Sequence, residues 1–211
     1  MTFGGTRRRS SKRARSADRT DGGPDGPPQP EADPESVARA IVLRRLTMAP
    51  RTRAQLADDL KSREVPDEVA ERVLDRFSAV GLVDDEAFAQ AWVRSRHTGR
   101  GLARRALTHE LRHRGVDDET VAEAVEAISP DDEWAAASDL VARRLSASRG
   151  LPTEARMRRL AGMLARKGYS GGMSMAVIRE ALAAETRSES PNGFDADSQQ
   201  EDSLTTVDGR S

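Results

Sequence analysis

The sequence predicts an all-α protein built of tandem three-helix repeats. Three observations lead there. Charged residues make up 33% of the chain and aromatic residues only 3%. The apolar remainder is mostly Ala, Leu and Val, which suits helices better than a sandwich or barrel rich in β-branched and aromatic side chains. Between residues 33 and 184 the apolar positions recur at helical spacing. Finally, one frame appears three times: Leu56 with Leu60, Leu107 with Leu111, and Leu160 with Leu164, at offsets of 51 and 53 residues. Units that cannot bury their own faces stack to do so.

Taken in order, the elements are as follows. Asp33 can cap a helix whose first residue is Pro34, with Glu35 at its positive end. Val37, Ile41, Val42 and Leu46 give it one apolar face, and Pro50 stops it. Thr52-x-x-Gln55 reads as a capping box. It opens a helix carrying Leu56 and Leu60 that ends near Arg63. Pro66-Asp67 begins the next, with Val69, Val73, Leu74 and Phe77 apolar and Gly81 as its stop. Asp84-Asp85-Glu86 starts a helix with Phe88, Trp92 and Val93 on one side. A loop, His97 to Gly101, is expected to follow as a flexible joint.

The pattern then repeats. Leu107 and Leu111 are followed by Arg114-Gly115-Val116, then Val121 and Val125. Ser129-Pro130 opens a helix whose Asp131-Asp132-Glu133 echoes Asp84-Asp85-Glu86. Leu160 and Leu164 are followed by Lys167-Gly168-Tyr169, then Val177, Ile178 and Leu182. The segments beginning at Ala38, Ala89 and Ala137 also resemble one another, so the first helix is a leading copy of that slot. The expected organisation is a leading helix at 33–50, repeats at 51–98 and 99–149, and a partial repeat at 150–184. Residues 1–32, rich in Arg, Ser, Gly and Pro, are expected to form a disordered basic arm. Residues 185–211, polar and acidic, are expected to form a disordered tail.

Charge and composition exclude several functions. Net charge is −1, so nothing global drives the chain to nucleic acid. Its distribution is uneven: residues 1–30 carry seven basic and three acidic side chains, and residues 185–211 carry two and seven. There is no cysteine, which removes disulfides, thiolate metal sites and thiol catalysis. No apolar run is long enough to span a membrane. The basic N-terminus lacks the apolar core of a secretory signal, so a cytoplasmic protein is expected; a monomer is expected as well.

His109, Glu110 and His113 spell H-E-x-x-H, the pattern of a zinc-hydrolase helix. The repeat frame argues against that reading. The corresponding positions elsewhere are Asp58 with Ser62, and Gly162 with Arg166. The neighbouring arginines oppose a dication, and His97 is the one remaining histidine. Both histidines are expected to point outward, with no metal, cofactor or catalytic residue. Asp84-Asp85 and Asp131-Asp132 are helix-start acids. Trp92 and Trp134 are core aromatics.

Arginine is the distinctive chemistry. Arg44, Arg45, Arg51 and Arg53 cluster at the first joint. Arg94, Arg96, Arg100, Arg104 and Arg105, with Arg112 close behind, cluster at the second. Arg143, Arg144, Arg149, Arg156, Arg158 and Arg159 cluster at the third, with Arg143, Arg144, Arg156 and Arg159 the expected contacts. Arranged along one side of an array, these forks suit phosphates or carboxylates on an extended partner. Reversing Arg104 and Arg105 is expected to weaken that contact.

The segments PRTRAQLADDL, VLDRFSAVGLVDDEAFAQAWVRSR, GLARRALTHELRHRGV and RMRRLAGMLARKGYS, in that order, resemble the bacterial regulatory RecX family. The likeness covers about residues 35–184. It implies tandem three-helix repeats in an elongated, curved array. It also implies a partner, the RecA recombinase on DNA, whose ATPase and strand exchange would be damped, with weak non-specific DNA contact and no membrane. The positions matching the family's motifs include Asp84, Asp85, Phe88, Ala89, Trp92, Arg96, Glu110, Leu111, Gly115, Gly168 and Tyr169. Glu64 departs from the glycine of the other copies, which argues against a left-handed cap there. The alternative is a stand-alone DNA-binding protein of helix-turn-helix type.

Overall fold

The structure is a computed structural model and describes residues 33–189; the basic arm and all but the first residues of the acidic tail lie outside them. Among the described residues there are nine α-helices, one short 3-10 turn and no strand. They are α1 (Pro34–Met48), α2 (Arg53–Lys61), α3 (Asp67–Ala79), α4 (Asp85–Arg100), α5 (Arg104–His113), α6 (Asp118–Glu126), α7 (Pro130–Leu145), α8 (Thr153–Arg166) and α9 (Gly171–Glu189), with the 3-10 turn at Ser146–Ser148.

Each start has a local cause. Thr52 caps α2 in a complete capping box with Gln55, and Ser129 does the same for α7 with Asp132. Asp84 and Asp117 cap α4 and α6 by accepting from Ala87 N and Thr120 N. The expected loop from His97 to Gly101 is a correction: α4 continues through Arg100, and only Gly101, left-handed at φ 59°, ends it. His97 Nδ1 lies 2.9 Å from the Leu102 carbonyl oxygen at that turn.

Three apolar cores organise the helices, and each repeats one plan. The first joins α1, α2 and α3 around Ala38, Val42, Leu56, Leu60, Val73 and Leu74. The second joins α4, α5 and α6 around Ala89, Val93, Leu107, Leu111 and Val121. The third joins α7, α8 and α9 around Ala137, Val141, Leu160, Leu164, Val177 and Ile178. An Ala-x-x-x-Val pair on the leading helix thus meets a Leu-x-x-x-Leu pair on the second. Burying each such leucine contributes about 1.5–3 kcal/mol. The cores group each leading helix with the two helices after it. Sequence periodicity reveals the period of a repeat but not where a unit begins, and burial supplies that phase.

The third unit reaches further than the sequence reading places it. Helix α9 runs five residues past Ala184, and Glu185 is only 8% exposed. Its carboxylate accepts from Arg149 Nε at 2.8 Å and pairs with Arg156, whose Nε also donates to Ser148 Oγ at 3.2 Å. Those two guanidinium hydrogen bonds hold Glu185 below the ordinary 4.5 of a glutamate, burial opposing them. A depressed carboxylate contributes stability that is fully present above its unfolded pKa and lost as pH falls through the folded one. Glu185→Gln should therefore lower the melting temperature at neutral pH. The gap between variant and parent should close as pH drops below 4.5, read by far-UV circular dichroism melts.

Candidate functional site

The polar groups divide into those that hold unit to unit and those that face solvent. At the first joint, Thr52 Oγ1 donates to the Arg114 carbonyl at 2.6 Å. The Arg53 N–H, at the part-buried start of α2, donates to Asp85 Oδ1 at 2.8 Å. The second joint repeats both contacts. The Ala103 N–H donates to the Lys167 carbonyl at 2.9 Å, and the Arg104 N–H donates to Glu133 Oε1 at 3.0 Å. The second helices of the first two units, α2 and α5, thus have starts completed by a carboxylate from the leading helix of the next unit, where free N–H groups need acceptors. Asp85 is a helix-start acid as expected, and it also caps its neighbour. Burial raises its pKa, and the Arg53 N–H opposes that rise.

Glycine allows the close approach at both joints. Gly115 has φ +78° and Gly168 φ +92°. A Cβ on Gly115 would lie 2.3 Å from Ala54 Cβ, and one on Gly168 would lie 2.7 Å from Ala106 Cβ and N. The corresponding Glu64 also has a positive φ, 59°, which corrects the expectation drawn from its side chain. Glu64 follows α2 and is exposed. The left-handed cap is kept there because the Leu60 carbonyl still takes the Val65 N–H.

An aromatic cluster sits beside the first joint. Trp92 stacks on Phe88 with ring centroids 5.7 Å apart. The guanidinium carbons of Arg96 and Arg114 lie 4.1 and 3.7 Å from the Trp92 ring centre. Trp92 Nε1 donates to Glu110 Oε2 at 2.8 Å. Burial, with the Arg96 and Arg51 charges, presses the Arg114 pKa down, and Glu110 opposes. The glutamate of H-E-x-x-H is therefore committed to a tryptophan, and His109 and His113 are exposed, as expected. Among the described residues no three His, Cys, Asp or Glu side chains come together as a metal set.

The predicted arginines separate into two groups. Arg45 and Arg51 both reach Asp59, Arg53 reaches Glu71 and Asp75, and Arg96 lies 3.9 Å from Glu110. Arg112 pairs with Asp118, Arg143 with Asp139, and Arg156 with Glu185. Arg104 donates to the Val125 and Glu126 carbonyls, closing the C-terminus of α6. Arg44, Arg94, Arg100, Arg105, Arg144 and Arg159 are exposed and have no carboxylate within ion-pair distance. Arg104 and Arg105 are thus not equivalent. Arg104→Ala should cost about 1–3 kcal/mol by leaving helix-end carbonyls unpaired, seen in chemical denaturation, whereas Arg105→Ala should cost almost nothing.

Two cavities gather several of the exposed cations. A groove of about 900 Å³ runs between α5 and α8, lined by Arg105, His109, Arg112 and Arg166, with Glu110 the one carboxylate, around Leu102, Ala106 and Gly168. A pocket of about 200 Å³ between α7 and α8 is lined by Arg144, Arg159 and Arg166 with Ser148, Leu160 and Met163. Arg166, outside the predicted set, belongs to both. It lies seven residues after Arg159, two turns on along the same face of α8, a signal the sequence carries. By contrast α6 bears Asp118, Glu119, Glu123 and Glu126 and no cation. An apolar groove of about 490 Å³ lies between the α1 end and α4, lined by Leu46, Pro50, Leu82, Phe88 and Trp92.

Tandem three-helix units, each around its own core and joined through helix-start carboxylates and close-packed glycines, define an all-α repeat protein. Family profiles place that architecture: the first three-helix domain of RecX matches residues 38–77, the second 84–125 and the third 131–182. The chain is 63% identical over 171 residues to regulatory protein RecX of Thermobifida fusca, covering 80% of this chain and 92% of that one. It is 59% identical over 157 residues to regulatory protein RecX of Streptomyces coelicolor, covering 74% and 84%. The chain belongs to the RecX family of regulatory proteins. The crystal structure of RecX from Lactobacillus salivarius shares the fold, with a TM-score of 0.66 at 18% identity over 72% of this chain and 99% of that one. No helix among the described residues is long and apolar enough to cross a membrane.

Proposed function

We propose that the protein is a cytoplasmic monomer that binds the RecA recombinase on single-stranded DNA and damps its ATPase and strand exchange during recombinational repair. It does so through the cation-lined face of α5 and α8. The observation that supports this reading most is that Arg105 and Arg166 line one groove with no carboxylate partner. Guanidinium groups left unpaired in a groove are suited to the carboxylates and phosphates of a nucleoprotein surface. Contact with DNA alone is weak and non-specific, since the chain as a whole carries a net charge of −1.

A stand-alone helix-turn-helix reader is disfavoured by charge. The third helix of such a unit enters the major groove. Here α6 is wholly acidic in its charged residues, and α3 carries Asp67, Glu68, Glu71 and Asp75 against Arg72 and Arg76. The test is a RecA ATPase assay on single-stranded DNA with this protein titrated in. The rate should fall with added protein. An unchanged rate at saturation would overturn the proposal.

A further inference from the structure

We propose that the face of α1 carrying Val37, Ile41 and Met48, beside Arg44 and Arg63, docks the C-terminal end of an apolar-faced helix from another protein, one that finishes in a free carboxylate or an acidic last turn. The equivalent face of each later leading helix meets such a helix end within this chain. On α4 the face is Phe88 and Trp92, and its groove is walled by Leu46, Ala49 and Pro50 from the end of α1. On α7 the face is Ala136 and Leu140, and its groove is walled by His97, Arg100 and Gly101 from the end of α4. A Cβ on Gly101 would lie 2.9 Å from Leu140 Cδ1, so that contact is direct. With Ala38, Ala89 and Ala137 in register, the same positions on α1 are Val37 and Ile41. Their groove, about 370 Å³, is lined by α1 and Arg63 with no helix end beside it among the described residues.

What is left open there is apolar, cationic and short of a donor. Val37 is 38% exposed and Met48 71%. No carboxylate lines the groove. Arg45 reaches Asp59, whereas Arg44 and Arg63 are exposed and have no carboxylate within ion-pair distance. In both inner joints the carbonyl at the turn after the second helix takes a donor from the unit before: Arg114 from Thr52 Oγ1, and Lys167 from the Ala103 N–H. The corresponding Arg63 carbonyl takes none among the described residues. A helix C-terminus presents the negative end of its dipole, and a carboxylate there adds charge that two free guanidinium groups suit.

A second copy of this chain does not fit. Pro34 stands where Asp85 and Glu133 cap the incoming second helix, and Glu64 where Gly115 and Gly168 admit it. The far end of the array is also closed. Helix α8 begins seven residues before Leu160, whereas α2 and α5 begin three before Leu56 and Leu107. Arg156 in that added turn donates to the Leu145 carbonyl at 3.5 Å and to Ser148 Oγ at 3.2 Å, covering the end of α7. The occupant is therefore a helix that stops on the face rather than one that turns into another. Residues 1–30, with seven basic and three acidic side chains, carry the wrong charge for it.

The experiment uses the full chain and a lactam-bridged helical peptide of Ala, Leu and Glu, about fifteen residues long because shorter helices are marginal in water. The peptide is made with a free C-terminal carboxylate and as its amide. Added peptide should shift the Met48 methyl resonance and spare Met163, which lies in the third unit. The free acid should bind roughly three- to tenfold more tightly than the amide at about 50 mM salt. Arg44→Gln/Arg63→Gln should erase that difference and leave the melting temperature unchanged, since neither side chain makes an ion pair in the fold. A Met48 signal that does not move, equal shifts at Met163, or equal binding of acid and amide each overturns the proposal. So does a Met48 signal that moves on dilution without peptide, which would mean a second copy. The chain has no cysteine, so Ser10→Cys takes a single nitroxide label. Broadening of Met48 by that label would make the chain's own N-terminal segment the occupant and overturn the proposal too. Neither RecA nor DNA is present, so the result stands apart from the reading of function above.

Discussion

Gly168→Val should lower the melting temperature by roughly 5–15 °C, and Gly115→Val should do the same. Each glycine does two things at once. It holds a left-handed backbone, at φ +92° and +78°, which costs a side-chain-bearing residue about 1–2 kcal/mol. It also lets one unit rest on the next. A Cβ at Gly168 meets the backbone nitrogen of Ala106 at 2.7 Å, and one at Gly115 meets Ala54 Cβ at 2.3 Å. Backbone cannot rotate away as a long side chain can, so the overlap adds about 1–3 kcal/mol. Together the two effects amount to roughly 2–5 kcal/mol, and a chain of this size loses about 2–4 °C for each. Gly81→Ala separates them. Gly81 is left-handed at φ +69° with nothing within 4 Å, so only the conformational part applies. Glu64→Gly is the converse, and should leave stability equal or higher by up to ~1 kcal/mol. Differential scanning calorimetry checks all four. A Gly168→Val chain as stable as Gly81→Ala would mean that the second joint is not a close contact.

Arg105→Glu/Arg166→Glu should raise the concentration needed for half-inhibition of the RecA ATPase by roughly a hundredfold or more. A charged hydrogen bond to a partner contributes about 1.5–3 kcal/mol, and each reversal also introduces repulsion. Neither arginine makes an ion pair within the fold, so stability should be unchanged. The control is Arg72→Glu/Arg179→Glu, which makes the same change in net charge at exposed, unpaired positions outside the groove. Inhibition by that variant should match the parent. If both double variants inhibit equally well, the α5 and α8 face is not the contact surface. Arg104 has no place in this test, because its loss opens the end of α6.

Local patterns were legible in the sequence wherever the determining atoms lie within a few residues of one another. The capping box at Thr52, the N-cap at Asp84, the left-handed stop at Gly81 and the Leu-x-x-x-Leu pairs are of this kind. So was the outward direction of His109, which follows from helical geometry relative to Leu107. At Glu64 residue type points the wrong way, because it is not the cause of the left-handed turn. The 6→1 hydrogen bond from Val65 to Leu60 is what imposes it. Gly99 and Gly101 look like a hinge in the sequence, yet α4 runs on through His97 to Arg100. Only Gly101 ends the helix, and its N–H bonds back to the His97 carbonyl.

The candidate surface was legible only in part, since a row of arginines says nothing about its partners. Arg45, Arg53, Arg104, Arg144 and Arg159 look alike as letters. Asp59, Glu71, Asp75 and the α6 carbonyls engage the first three, and those partners lie 14 to 22 residues away along the chain. The sequence by itself determined the helices, their period and the residues that form each core, because burial at 3.6-residue spacing is a property of neighbours in the chain. Only the tertiary structure decided which leading helix closes which core, that Asp85 and Glu133 cap the unit before them, and which arginines remain for a partner. Those outcomes depend on which charges the packed cores bring within hydrogen-bond distance, and that distance is set across the fold rather than along it.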